Sequence, residues 1–142
     1  MNERLVGRIR GGFSTAIAAL IAADGSVTIA NAGHLPPYLD GRELDLPGAL
    51  PLGISSATSY EVTQLRLEPA SRLTFYSDGV IEAQDKKDQL LGFDRARELS
   101  TQPAKTIVEA AKAFGQQDDI TVVTVERVAV EETCKVEQAA SV

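Results

Sequence analysis

Two acidic sites stand out in this sequence because each lies directly next to a segment rich in β-branched and aromatic residues. Asp78 follows Leu73–Tyr76 and is itself followed by Gly79. The pair Asp118–Asp119 precedes Ile120–Val125. If the two segments are neighbouring strands, their ends bring the carboxylates to one rim of a sheet, which is a rigid mount for a functional group. Carboxylates gathered there repel each other unless a cation lies between them, and hard oxygens select Mg²⁺ or Mn²⁺.

A plainer interpretation of the same residues stays open. Asp-Gly is a common turn pair, and two adjacent aspartates occur freely in solvated loops. Under this alternative Asp78 and Asp118–Asp119 are turn residues, and the chain is a β-rich binding module that holds no metal. Gly79 also has a second interpretation, because a residue without a side chain lets an ion approach the backbone.

His34 is the only histidine of the chain and could donate a proton near neutral pH. However, Pro36–Pro37 follows closely, and prolines of this kind mark a structural turn. We therefore favour a structural role for His34 over a catalytic one. Ser77 has no histidine or lysine base adjacent in sequence, which argues against a serine nucleophile.

The segments that would position these residues are strands on both sides of two helices. Phe13–Ala23 is an apolar run that leads into the hairpin signal at residues 24–26, which predicts a strand with both faces buried. Ile120–Val125 is apolar on both faces, which predicts a strand in the middle of a sheet.

Helical spacing predicts the two helices. Phe93, Ala96 and Leu99 share one face of the first, and the second extends from Pro103 to just before Gly115. Strands, two helices and a closing strand together predict an α+β sandwich with a mainly antiparallel sheet.

Composition excludes several classes of protein. The 142 residues fit one domain; 44% are hydrophobic and 24% charged, which is close to the globular average. Acidic residues outnumber basic ones by 20 to 14, which argues against nucleic acid binding. No apolar run is long enough to cross a bilayer, and the lone cysteine, Cys134, cannot form an internal disulfide. These features predict a cytoplasmic protein. The apolar periodicity stops at Ala129, which predicts a domain over residues 1–128 and a disordered polar tail over residues 129–142.

Four segments, in order and at characteristic spacing, together resemble one protein family. They are IANAGHLPP at residues 29–37, LPLG at 50–53, YSDGVIEA at 76–83 and DDIT at 118–121. These are similar to the NAGH-PP, PLG, SDG and DDIT motifs of the metal-dependent PPM-type protein phosphatases. The similarity is greatest to the branch that contains the stage II sporulation protein E phosphatase and the regulators of stress sigma factors. It covers roughly Asn2 to Glu126.

The resemblance implies hydrolysis of phosphoserine or phosphothreonine with the help of two divalent cations, Mn²⁺ or Mg²⁺. It implies that Asp78 holds one cation and Asp118 the other, with Asp119 and the backbone of Gly79 as further candidates. The substrate would be a phosphorylated regulatory protein, such as an anti-sigma-factor antagonist.

The sequence also departs from that family. Nothing in it matches the GDxxD-like and DVxGHG-like motifs of the family's earlier half, and Asn2–Leu5 resembles the helix that follows that half. We therefore expect an incomplete phosphatase domain with weak or no activity, and self-association through exposed strand edges. The alternative is a non-catalytic protein-interaction module derived from the same fold.

Overall fold

The computed structural model describes residues 1–8 and 12–128, and this part of the chain forms two antiparallel β-sheets and four helices. The predicted tail at residues 129–142 lies outside the described residues. The helices and strands follow one another in this order: α1 Asn2–Leu5, β1 Ala16–Ile21, β2 Ser26–Ala32, β3 Tyr38–Leu39, β4 Arg42–Glu43, β5 Val62–Arg66, β6 Arg72–Tyr76, α2 Asp78–Ile81, α3 Gly92–Leu99, α4 Ala104–Gly115 and β7 Val122–Glu126.

The first sheet has the strand order β1-β2-β5 and is built on the predicted hairpin. β1 pairs with β2 from Ala16 opposite Ala32 to Ile21 opposite Val27. Asp24 closes the turn because its Oδ1 atom accepts hydrogen bonds from the Ser26 amide at 2.9 Å and the Ser26 hydroxyl at 2.7 Å. An aspartate side chain that bonds to the backbone two residues later is typical of such turns.

The second sheet has the order β4-β3-β6-β7 and shares an apolar core with the first. Val27 and Ile29 of β2 are buried in one cluster with Leu67 and Leu73, and Leu73 lies on β6. The prediction of an α+β sandwich with antiparallel sheets is confirmed.

α3 and α4 pack near the second sheet, and their buried faces follow the spacing seen in the sequence. Ala96 of α3 and Ile107 and Ala111 of α4 are fully buried in a second core cluster. Tyr76, the last residue of β6, belongs to the same cluster and donates its hydroxyl hydrogen bond to the Ala96 carbonyl at 2.7 Å. This core therefore fixes the end of β6, which leads directly to Asp78.

Two predictions about burial are wrong. β1 and β7 each lie at one end of their sheet's strand order, so neither is a central strand. Leu20 of β1 is 73% exposed and Val123 of β7 is 49% exposed. Apolar residues on both faces indicate that a strand can pack against neighbours on both sides. They do not indicate whether those neighbours belong to the same chain. Within the described residues, no helix has the length and apolar character needed to cross a membrane.

Candidate metal centre

The two acidic sites lie at the same edge of the second sheet because β6 and β7 are antiparallel neighbours. The register runs from Arg72 opposite Glu126 to Tyr76 opposite Val122. The end of β6 and the start of β7 therefore meet, and Asp78 follows the one while Asp118–Asp119 precedes the other. Strand adjacency thus brings together the loops that carry these carboxylates.

Ser77 joins the two loops directly. Its amide donates to the Thr121 carbonyl at 2.9 Å, and its hydroxyl accepts a hydrogen bond from the Thr121 amide at 2.8 Å. The same hydroxyl lies 3.3 Å from the carbonyl oxygen of Asp119, to which it donates. The sequence alone does not indicate this role of Ser77, because both partners are backbone atoms about 40 residues away in the chain.

Asp78 begins a short helix, which the interpretation as a simple Asp-Gly turn did not anticipate. α2 extends over four residues, Asp78–Ile81, and Gly79 is buried within it. A Cβ atom at position 79 would overlap the carbonyl oxygen of Asp119 and lie 3.0 Å from its carbonyl carbon. Gly79 is therefore needed for close approach of α2 to the Asp118–Asp119 loop.

The carboxylates of this edge are exposed and only partly engaged. Asp78 Oδ1 accepts from the Gly79 amide at 3.1 Å, and Asp118 Oδ1 accepts from the Asp119 amide at 2.7 Å. Among residues 1–8 and 12–128, no lysine or arginine forms an ion pair with any of these three aspartates. All three aspartates are exposed to solvent.

The donor set fits a hard divalent cation in type but is small in number. Carboxylate oxygens suit Mg²⁺ and Mn²⁺, and Mg²⁺ is often held by one or two carboxylates with water completing its shell. Within the described residues, no three histidine, cysteine, aspartate or glutamate side chains are grouped closely enough to hold a metal ion. The carboxylates present therefore fit a weakly held cation, in which water supplies most ligands.

His34 contacts the end of β6 and is held by hydrogen bonds on both ring nitrogens. Nε2 is 3.0 Å from the Tyr76 carbonyl, and Nδ1 is 3.3 Å from the Thr15 hydroxyl. Its backbone is fixed as well, because Asn31 Oδ1 accepts from the His34 amide at 2.8 Å and Asn31 Nδ2 donates to the His34 carbonyl at 2.9 Å. These contacts connect the loop after β2 to the end of β6.

Next to His34 an apolar cleft opens between the two sheets, with a volume of about 420 Å³. Its sides are formed by the edge strands, with Ile17 and Ile21 from β1 and Val123 and Val125 from β7. Ser77 lies at the end of the cleft that adjoins the acidic edge. Deeper in the core, burial raises the pKa of the Tyr76 hydroxyl above its ordinary value, so Tyr76 stays neutral there.

A family model settles the relationship of this chain to known proteins. The model for stage II sporulation protein E (SpoIIE) matches residues 1–128. The chain belongs to the SpoIIE family.

Solved structures agree with this membership. The RsbU and RsbW domains of Rv1364c from Mycobacterium tuberculosis are 26% identical to the chain with a TM-score of 0.69, over 89% of this chain and 40% of that one. The SpoIIE phosphatase domain from Bacillus subtilis, in its Mn-presoaked form, is 24% identical with a TM-score of 0.59, over 82% of this chain and 57% of that one. No curated protein shows a significant sequence match.

The fold is thus that of the PPM phosphatases, and the SpoIIE-family chain described here forms part of it. The PPM Ser-Thr phosphatase MsPP from Mycobacterium smegmatis, solved in complex with cacodylate, has 23% identity and a TM-score of 0.55, with 80% of this chain and 61% of that one covered. These relatives place the chain in the SpoIIE/RsbU branch that the motifs indicated. The chain spans 40% and 57% of the length of the first two structures.

Proposed function

We propose that this chain carries cation-binding carboxylates of a PPM-type serine/threonine phosphatase, with Asp78 and Asp118 as the principal ligands. The observation that carries the proposal is the junction of their loops at one sheet edge, through Ser77 and Gly79, in a SpoIIE-family fold. Asp119 and the backbone of Gly79 are secondary candidates, because they adjoin these ligands in the same junction.

The chemistry assigned to this chain is the binding and orientation of a hard cation beside a phosphoester. A bound Mn²⁺ or Mg²⁺ would supply positive charge to stabilise the phosphoryl group during hydrolysis. Without it, the exposed carboxylates would repel an anionic phosphoester. Ser77 has no part as a nucleophile, because its hydroxyl already donates to Asp119 and accepts from Thr121. His34 has both ring nitrogens in hydrogen bonds, which supports a structural role.

Activity of this chain alone should be slow or absent. A two-metal mechanism needs its cations held close together, and the described residues offer no group of three acidic or histidine ligands. With excess Mn²⁺, we expect phosphoester hydrolysis near the background rate. Fast turnover that Asp78→Asn abolishes would contradict this expectation.

Calorimetric titration with Mn²⁺ tests the cation assignment. We expect weak binding by the wild type and affinity about tenfold lower in Asp78→Asn and in Asp118→Asn, because each change replaces a charged ligand by a neutral one. Asn preserves the side-chain shape and the Asp118 contact with the Asp119 amide.

Glu68→Gln provides the matched control, since it removes one negative charge from an exposed residue in the turn before β6, at the opposite end of that strand from Asp78. Its titration should match that of the wild type. If all three variants bind Mn²⁺ as the wild type does, Asp78 and Asp118 are not ligands and the proposed function fails.

We propose a phosphorylated regulatory protein, such as an anti-sigma-factor antagonist, as the substrate. The support is membership of the SpoIIE family and the likeness to the RsbU and RsbW domains of Rv1364c. A cytoplasmic location belongs to the same proposal, since the one cysteine excludes an internal disulfide and suits a reducing compartment.

A second candidate function is a non-catalytic interaction module, and the small ligand set favours it. The two candidates differ in one measurable respect. A module of this kind would bind a phosphoprotein partner equally well with Mn²⁺ and with a chelator, whereas the phosphatase assignment requires Mn²⁺-dependent binding or turnover that Asp78→Asn impairs.

Self-association through the edge strands is also proposed. β1 is six residues long and carries no charge or proline, and such an edge lacks the usual protection against strand pairing. The exposed Leu20 and Val123 would be covered when edges pair.

Sedimentation at several concentrations tests this proposal. We expect the wild type to associate and Leu20→Lys to raise the dissociation constant about tenfold or more, because burying a leucine contributes about 1.5–3 kcal/mol and a lysine on an edge opposes pairing. Leu90→Lys is the control, since Leu90 is 56% exposed but lies outside both edge strands. A wild-type monomer at high concentration would contradict the proposal.

A further inference from the structure

Ser77 makes three hydrogen bonds that join the two acidic loops. It extends the β6–β7 ladder by one step, since its amide donates to the Thr121 carbonyl at 2.9 Å. Its side chain then adds two more contacts, to the Thr121 amide at 2.8 Å and to the Asp119 carbonyl at 3.3 Å. Ser77 directly precedes Asp78, so one residue links both acidic loops.

Within the described residues, one further backbone bond lies close by, from the Gln84 amide to the Gly115 carbonyl at 2.7 Å, but it joins residues outside the two acidic loops. Every hydrogen bond between residues 77–82 and residues 116–121 there involves Ser77. The remaining bonds of the second loop are local, such as Gln116 Nε2 to the Asp118 carbonyl at 2.9 Å. The Ser77 hydroxyl, together with the ladder bond of the Ser77 amide, therefore joins the loop of Asp78 to the loop of Asp118–Asp119.

We propose that Ser77 is a positioning residue, whose hydroxyl holds the Asp78 loop and the Asp118–Asp119 loop at a fixed spacing and so sets how their carboxylates meet a bound cation. The inference rests on the proposed function, because it assumes that these carboxylates bind the cation. Polar groups that orient metal ligands without touching the metal typically change affinity by about 10–100-fold when removed. Ser77 would act in this way through the backbone of both loops.

Two substitutions separate the hydroxyl from the rest of the side chain. Ser77→Ala removes both side-chain hydrogen bonds but leaves the ladder bond of the amide. Ser77→Thr keeps the hydroxyl, and the extended backbone of Ser77, with φ −80° and ψ 162°, accepts a β-branched residue. A positioning role predicts that threonine rescues what alanine loses.

The experiment is an NMR titration of the wild type, Ser77→Ala and Ser77→Thr with Mn²⁺, which broadens nearby amide signals. In the wild type and Ser77→Thr, we expect the Gly79 and Ile120 amides to broaden over the same Mn²⁺ range. In Ser77→Ala the midpoint should rise about tenfold, and the two loops should no longer respond together.

Amide hydrogen exchange gives a readout that needs no metal. Thr121 donates to the Ser77 hydroxyl, so its exchange should accelerate about tenfold in Ser77→Ala and stay at the wild-type rate in Ser77→Thr. The Leu67 amide, which donates to the Gly25 carbonyl at 2.8 Å, reports on the rest of the fold and should not change.

The outcomes distinguish this inference from the proposed function. If the wild type shows Mn²⁺ broadening and Ser77→Ala titrates identically, the positioning role is wrong and the proposed function stands. If threonine fails to restore what alanine loses, the hydroxyl is not responsible and the inference is again overturned. Absence of broadening in the wild type overturns the proposed function and, with it, the cation role of Ser77.

Discussion

Gly79→Ala is expected to lower the free energy of unfolding by about 2 kcal/mol, which is typical of inserting a methyl group into a closely packed site. The added Cβ would overlap the Asp119 carbonyl oxygen, lie 3.0 Å from the carbonyl carbon and lie 3.4 Å from Ile120 Cγ1. The atoms in contact are mainly backbone and cannot rotate away, so α2 and the acidic loop must separate. The gain in helix propensity from alanine is at most about 1 kcal/mol and acts in a helix of only four residues. Urea unfolding measures the change.

Gly48→Ala is the matched control for this substitution. Gly48 has no heavy atom within 4 Å of an added Cβ, and its backbone is not in the positive-φ region. We expect stability within about 0.5 kcal/mol of the wild type. Gly79→Ala should also weaken Mn²⁺ binding, whereas Gly48→Ala should not. Equal stability of the two variants would mean that the loops separate without cost and that their close approach is unimportant.

The sequence predicted those parts of the fold that depend on local patterns. The hairpin around Asp24 follows from turn chemistry, and α4 follows from apolar spacing between Pro103 and Gly115. The errors concern burial, which is not local. Ala18 and Leu20 of β1 are exposed although their segment is uniformly apolar. The apolar composition of a segment indicates that its side chains can be buried. The strand or helix that would bury them need not lie in the same segment or the same chain.

The placement of the two acidic loops could be predicted from the same local patterns. Asp78 and Asp118 were expected to converge because each adjoins a strong strand, and antiparallel pairing of β6 with β7 brings the loops that carry them to one end of the sheet. Ser77 and Gly79 could not be assigned in this way. Their roles arise from contacts with backbone atoms about 40 residues away in the chain, at Asp119 and Thr121. No periodicity or turn preference encodes a contact between a hydroxyl group and a distant carbonyl.

The apolar cleft and the acidic edge adjoin the two sheet-edge strands, β1 and β7. Each of these strands has a partner on one side only within the described residues. Apolar strands at a sheet edge gain stability when another strand covers them, and Ser77 lies at the end of the same cleft. Anything that fills the cleft therefore approaches the acidic edge, so association and cation binding should be measured on the same samples.

Gly115→Ala is expected to cause a larger loss, about 3 kcal/mol, because backbone strain and steric overlap each cost about 1–3 kcal/mol. Gly115 ends α4 with φ +143°, a region that residues with a side chain rarely adopt. A Cβ there would also overlap the Gln84 carbonyl oxygen and lie 2.9 Å from its carbon. In addition, the Gln84 amide donates to the Gly115 carbonyl at 2.7 Å, which ties the segment after α2 to the segment before Asp118.

Gly92→Ala is the comparison variant for that loss. Gly92 has φ +74° but no heavy atom within 4 Å of an added Cβ, so alanine there incurs backbone strain alone, about 1 kcal/mol. Urea unfolding of the two variants should therefore differ by about 2 kcal/mol, which combines the overlap with Gln84 and the greater backbone strain at φ +143°. If Gly115→Ala is no less stable than Gly92→Ala, the Gln84 segment moves away freely. The junction between α4 and the acidic loop would then be loose, and Asp118 would not be held by the end of α4.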